Sequence, residues 1–251
     1  MESKSILAVA VFICSSDSPW DVLERVLPVL VHRWPDCPYP IYVGVNSNFG
    51  GVPHVNGLLA HRSEWRREAT DQLRQVCESH VIVVLDDYLF QRKVDQKRLS
   101  SLVAEALQRD LPYLRLLPLG RSLAERLRLV TRVRQPGGIE PIALGRPFYS
   151  SMQISLWEKQ HLLAMLEAPG SIWDFEHRQK SGVYHYSIRD SGPFVYRHLV
   201  ERGHWLPHAG KLLAEAGVSS DLGARKVWPL WIWTKLLLDE IRFRVLGYGI
   251  H

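Results

Sequence analysis

The run Val81 to Leu85 (VIVVL), followed at once by Asp86 and Asp87, constrains this chain more than any other stretch. Five consecutive apolar residues, most of them β-branched, predict a strand covered on both faces, as found inside parallel or mixed sheets. Two adjacent carboxylates then stand at its C-terminal end. Ligands of open α/β sheets bind just outside the carboxyl ends of the strands. Neighbouring carboxylates in a low-dielectric setting demand either water or a compensating cation. Mg²⁺ and Mn²⁺ meet that demand, because they take hard oxygen ligands and commonly join one or two carboxylates to substrate phosphates. A plain Asp-Asp turn is the competing reading of the pair taken alone.

The surrounding chain alternates strand and helix patterns. Ile6 to Cys14 is a second continuous apolar run and predicts the first strand, with Ser18 and Pro19 opening an amphipathic helix through Val22, Leu23, Val26, Leu27 and Leu30. Pro40 to Asn46 and Pro112 to Leu117 read as strands, Ser63 to Val76 and Gln96 to Gln108 as helices. Ser155 to Leu166 reads as one amphipathic helix closed by Pro169-Gly170. Such alternation predicts an α/β fold, a Rossmann-like α/β/α sandwich with a central mixed sheet. The last thirty residues read as a C-terminal helical appendage, giving a catalytic domain over 1–221 and a basic, Trp-rich amphipathic segment over 222–251. In it Trp228, Trp231, Trp233 and Leu236 to Leu238 interleave with Arg225, Lys226, Lys235, Arg242 and Arg244.

At 251 residues the chain is long enough to bury a full core without disulfides or metal staples. Its 31 basic and 26 acidic residues leave a net charge of +5, which favours anionic partners. Cys14, Cys37 and Cys77 are an odd set with no CxxC spacing, which argues against a disulfide framework and fits a reducing compartment. No A-x-A-like cleavage site follows Ile6 to Cys14, and no apolar run is long enough for a membrane span, so a cytoplasmic protein is expected. Segment 222–251 is too short and too charged to cross a bilayer. Its composition suits either a helix in the headgroup region of an anionic membrane, at the inner face of the cytoplasmic membrane, or a helix docked on the core. The arginines Arg121, Arg126, Arg128, Arg132 and Arg134 would suit a diphosphate or an anionic acceptor, or form a solvated helix face. No helix-turn-helix or aromatic-interleaved RNA pattern accompanies them, so nucleic acid is not an expected partner.

Taken together, the first strand ending in Ser15-Ser16-Asp17, the helix leading into VIVVLDDYLF, and the blocks SSMQISLWEKQHLLAML and SIWDFE resemble GT-A glycosyltransferases of bacterial capsule, O-antigen and lipopolysaccharide clusters. The resemblance covers residues 5–210 as an order of blocks. It implies a GT-A-like fold that moves a sugar from a nucleotide-diphosphate sugar donor to a glycan or lipid-linked glycan acceptor, dependent on Mn²⁺ or Mg²⁺. By the same resemblance Asp87 contacts the metal and Asp86 serves the metal and ribose side. Ser15, Ser16 and Asp17 meet the nucleoside, and a late histidine, His185 before His208, completes the metal shell.

The family places acceptor recognition, and in inverting enzymes a catalytic base, in the SIWDFE region. An inverting transfer needs a carboxylate to take the proton of the attacking hydroxyl. Glu176 or Asp174 would serve, with Trp173 and Gln153 framing the acceptor; the Gln153 amide offers both donors and an acceptor to sugar hydroxyls. The competing reading makes Asp174 a helix cap, Trp173 and Phe175 core, and Glu176 a surface partner of Arg178. Two departures stand out. The usual acid-x-acid triplet is here Asp86-Asp87-Tyr88, and VFICSSDSPWD has no Gly-rich loop, which counts against a sugar nucleotidyltransferase on a similar sheet. A non-catalytic, membrane-associated glycan-binding or assembly subunit is the other alternative.

Overall fold

Strands β1 (Val9–Cys14) and β4 (His80–Leu85) lie side by side in parallel over their full lengths at the centre of the sheet. This is a computed structural model, and it describes residues 8–15, 20–47, 49–118, 138–144, 149–167, 175–176, 183–189 and 192–234. Both central strands are apolar at successive positions because both of their faces are covered. Val9, Val11 and Ile13 with Ile82 and Val84 face one core layer, while Ala10 and Phe12 with Val81 and Val83 face the other.

The first layer is closed by α1 (Trp20–Arg33) and α3 (Gln96–Gln108), which contribute Leu23, Leu27, Leu30, Leu99, Leu102 and Val103. The second is closed by α2 (Trp65–Leu73) and α4 (Lys159–Leu166), through Ala69, Leu73, Leu162, Met165 and Leu166. Helix α3 begins where expected because the Asp95 side chain accepts the Arg98 N–H at 2.9 Å.

From β1 the sheet runs outward through β2 (Ile41–Val45) to β3 (Val55–Leu59), all parallel. On the other side of β4 come β8 (Ser155–Glu158), β6 (Tyr113–Arg115), β9 (Tyr186–Ile188) and β7 (Ile139–Pro141), which makes a mixed sheet of eight strands among the described residues. Strand β8 is antiparallel to both β4 and β6, so those two strands are parallel to each other. The fold is the expected α/β sandwich around a central mixed sheet.

Two short antiparallel pairs lie outside this sheet among the described residues: β5 (Tyr88–Phe90) with β10 (Tyr196–His198), and β11 (Val200–Glu201) with β12 (His204–Trp205). A third cluster packs the outer stripe of α1, Val22, Val26 and Val29, against Leu89, Leu199, Trp205 and Leu213 of α5 (Ala209–Glu215).

One expectation is overturned. Ser155 to Leu166 is not a single helix; its first four residues are β8, and α4 starts at Lys159. Leu156 enters the first core layer and Trp157 the second, the alternation of a strand. A helical reading weighed local pattern only. The ladder groups of β4 and β6 need a partner between them, and buried backbone donors and acceptors are almost always paired, so the tertiary requirement overrides helix propensity.

The described part of the C-terminal stretch, up to Thr234, is tied to the body. The Trp205 N–H donates to Lys226 O and its indole to Leu222 O, while Arg225 pairs with Asp21 of α1. Residues 235–251 and the arginine cluster at 121–134 lie outside the described residues, as do Ser18 and Pro19. No helix among the described residues is long and apolar enough to cross a membrane.

Trp157 tests the corrected strand. Its ring is fully buried against Tyr113 and Phe175. Trp157→Ala is expected to cost about 3–5 kcal/mol in urea unfolding, the range for truncating a buried aromatic. A loss within about 0.5 kcal/mol, typical of an exposed position, would contradict that placement.

Candidate active site at the carboxyl edge of the sheet

Asp86 and Asp87 form the turn between β4 and β5, at the edge where β1, β4 and β6 all end. Both are half-buried. The Ser15 hydroxyl, just beyond β1, donates to Asp86 Oδ2 at 2.9 Å. Ser15 is itself held by Gln72 of α2, whose amide nitrogen donates to the Ser15 carbonyl at 3.1 Å. That amide fits only because Gly44 of β2 has no side chain: a Cβ there would fall 2.2 Å from Gln72 Oε1. On the other flank, the Val200 N–H donates to Asp87 Oδ2 at 3.3 Å and the Leu199 N–H to the Asp87 carbonyl at 3.1 Å.

Burial raises both carboxylates above their ordinary range. Asp86 moves to about 6, opposed by the Ser15 hydrogen bond and by the charge of Arg225. Asp87 moves to about 8, with burial the larger cause and the Asp86 charge the next. Sequence reading found no cation beside this pair; the fold supplies Arg225, whose guanidinium is held by Asp21 at 2.5 and 2.8 Å.

A second constellation sits on the same edge. Gln153 precedes β8, and its side-chain Oε1 accepts a hydrogen bond from Arg115 Nη2 at the end of β6. The Gln153 N–H donates to Ser151 Oγ at 3.1 Å, and that hydroxyl donates to Glu176 Oε1 at 2.7 Å. The structure therefore joins two expected residues, Gln153 and the buried Glu176, through one that was not expected, Ser151. Tyr88 and Tyr196, stacked with centroids 4.0 Å apart, lie within the fields of both groups. Burial holds their phenols high; Asp87 pushes both higher, Glu176 adds at Tyr88, and Arg115 pulls Tyr196 down.

The remaining sequence-derived residues fall elsewhere. Ser16, Asp17, Trp173 and Asp174 lie outside the described residues. His185 does not join the aspartate pair. Its ring stacks on Tyr149, with Nδ1 3.2 Å from Ser150 Oγ and 3.1 Å from the Tyr149 carbonyl, and Nε2 2.9 Å from His161 Nε2. Burial keeps it neutral by lowering its pKa to about 4. His208 precedes α5, beside Trp233. Among the described residues no group of three or more His, Cys, Asp or Glu side chains gathers to hold a metal. Arg115, Ser151 and the Tyr88–Tyr196 pair were missed by sequence reasoning. An available signal was Arg115 itself, a charged residue within an apolar strand pattern and so placed like Asp86.

No protein-family model and no curated protein matches this chain. Among solved structures it is similar to a 4-diphosphocytidyl-2C-methyl-D-erythritol synthase, at 13% identity and TM-score 0.49, over 82% of this chain and 97% of that one. It is similar to CMP:2-keto-3-deoxy-manno-octonic acid synthetase complexed with CTP, at 14% identity and TM-score 0.41, over 74% and 92%. It is also similar to residues 1–349 of S. aureus TarS, at 14% identity and TM-score 0.44, over 83% and 70%. Likenesses at this level do not bear on the chemistry or substrate of this chain.

The buried His185 gives a pH dependence with a definite sign. Its pKa in the folded protein, about 4, lies below the ordinary value of 6.5, so the unfolded chain binds more protons between them. The stability this residue contributes is present above pH 6.5 and is lost as the pH falls toward 4. His185→Gln should flatten the loss of urea-midpoint stability between neutral pH and pH 4.5. An unchanged acid limb would refute the burial of a neutral imidazole here.

Proposed function

We propose that this chain is a metal-dependent glycosyltransferase that moves a sugar from a nucleotide-diphosphate donor to a glycan or lipid-linked glycan acceptor in surface-polysaccharide assembly. The observation that carries the reading is the pair Asp86 and Asp87, half-buried, raised in pKa and fixed from two sides at the carboxyl end of the central parallel strand. Carboxylates in that state fit a divalent cation, since it removes the repulsion and burial cost that raise them. Asp87 and Asp86 would hold Mn²⁺ or Mg²⁺, whose preference for hard oxygen ligands two carboxylates meet. Such an ion, when bound, neutralises charge on the departing nucleotide.

The chain's own residues divide the other tasks. Ser15, with Ser16 and Asp17, meets the nucleoside, and Asp86 the ribose side. Glu176, oriented by the Ser151 hydroxyl, accepts the proton of the acceptor hydroxyl in an inverting displacement, with Asp174 the alternative base. Gln153 and Trp173 position the acceptor. Leu230 and Trp231, 66% and 70% exposed, begin the face by which 222–251 meets an anionic membrane at the cytoplasmic side.

Two variants test the division. A nucleoside diphosphate with Mn²⁺ should stabilise the wild-type protein, by about 2.7 kcal/mol at a hundredfold excess over Kd. Asp87→Ala should remove that stabilisation and abolish transfer while the far-UV spectrum is unchanged. Retained turnover and metal response would sink the assignment, and pyrophosphate release from a nucleoside triphosphate would identify a nucleotidyltransferase instead.

Glu176→Gln preserves shape and hydrogen bonding but removes basicity, so turnover should fall by about 10²- to 10⁴-fold with donor binding intact. Residual turnover above roughly a tenth of wild type, under conditions where chemistry limits the rate, would place the base elsewhere or make the reaction retaining. The anomeric configuration of the product, read by NMR, separates those outcomes.

A further inference from the structure

Arg115 ends β6 on the same sheet edge as Asp86 and Asp87, because β8 leaves β4 and β6 parallel. It is half-buried. Its Nη2 donates to Gln153, and its Nε, shut off from solvent, finds no acceptor among the described residues. Among the described residues no Asp or Glu pairs with this guanidinium, whereas the half-buried Arg225 and Arg189 are matched to Asp21 and Glu140. Guanidinium stays protonated in proteins, so a partly desolvated Arg cannot relieve its cost by losing the proton. An incoming anion relieves it.

The hydrogen bonds decide which side of the site that anion occupies. Arg115 is linked through Gln153 and Ser151 to Glu176, while the aspartate pair is held by separate groups, Ser15 and Val200. The planar fork of an arginine suits a carboxylate or a phosphate, and Gln153 fixes one arm of it in advance. We infer that Arg115 binds an oxyanion, carboxylate or phosphate, carried by the acceptor beside the hydroxyl that reacts. This rests on the assignment of Glu176 and Gln153 to the acceptor side. The acceptor is then an acidic or phosphorylated glycan, in keeping with the net charge of +5.

The test titrates the full chain with glucuronate, inorganic phosphate and glucose at constant ionic strength, followed by tryptophan fluorescence and thermal shift. Saturable binding of glucuronate or phosphate is expected, with none for neutral glucose; which anion binds separates a carboxylated acceptor from a phosphorylated one. Arg115→Gln should weaken anion binding at least tenfold and Arg115→Lys less, since a point charge remains without the fork. Gln153→Leu keeps the charge but frees its aim, so a smaller weakening there supports the inference even if Arg115→Gln does not fold. Glucose binding as well as glucuronate, or anion binding unchanged in both Arg115→Gln and Gln153→Leu, would overturn it. Competitive displacement of bound phosphate by a nucleoside diphosphate would overturn it too, by placing the anion on the donor. The stabilisation of wild type by nucleotide and Mn²⁺ is read separately, so its absence would remove the transferase reading without touching the anion result.

Discussion

The antiparallel pairing of β8 with both β4 and β6 is the constraint on which the site depends. Had the chain joined β4 to β6 through a parallel strand, the segment before β8 would lie at the opposite edge. The reversal instead brings the start of β8, with Ser151 and Gln153 just ahead of it, beside the ends of β4 and β6. Backbone groups buried in the centre of a sheet tolerate no unpaired stretch. That is why a segment with good helix formers is held as a strand, and why Trp157 and Leu156 divide between two core layers.

Electrostatics then gives this edge its character. Three carboxylates, Asp86, Asp87 and Glu176, are drawn partly out of water where two arginines also stand. Arg225 is already committed to Asp21 and reaches Asp86 only through its field, which lowers a pKa that burial has raised. Arg115 is tied to a neutral amide and so keeps its charge unmatched by any Asp or Glu pairing among the described residues. The edge is divided into an acidic pair and a region where a buried acid and an arginine share one hydrogen-bonded chain.

How much of this was legible in sequence follows from the range of each interaction. The VIVVL run and the Ile6 to Cys14 run announced central strands because covering on both faces demands apolar residues at every position. Gln96 to Gln108 was found to the residue, since a helix with an N-capping Asp95 carries its boundary locally. Strand β3 escaped because VNGLL has only two buried positions and an interior glycine. His185 was read as a ligand from its position late in the chain, yet it sits among Tyr149, Trp157 and Tyr113, a packing that no local spacing encodes.

By itself the sequence determined the α/β class, the central strands and the acidic pair at a strand end, because periodicity and burial on both faces are written residue by residue. The tertiary structure alone decided the strand state of Ser155 to Glu158, the approach of Arg225 to Asp86, and the chain from Arg115 through Gln153 and Ser151 to Glu176. Those features depend on strand order and on contacts between residues far apart in the chain. Such contacts are selected by the pairing of buried backbone groups and the matching of buried charge, and neither leaves a local pattern to read.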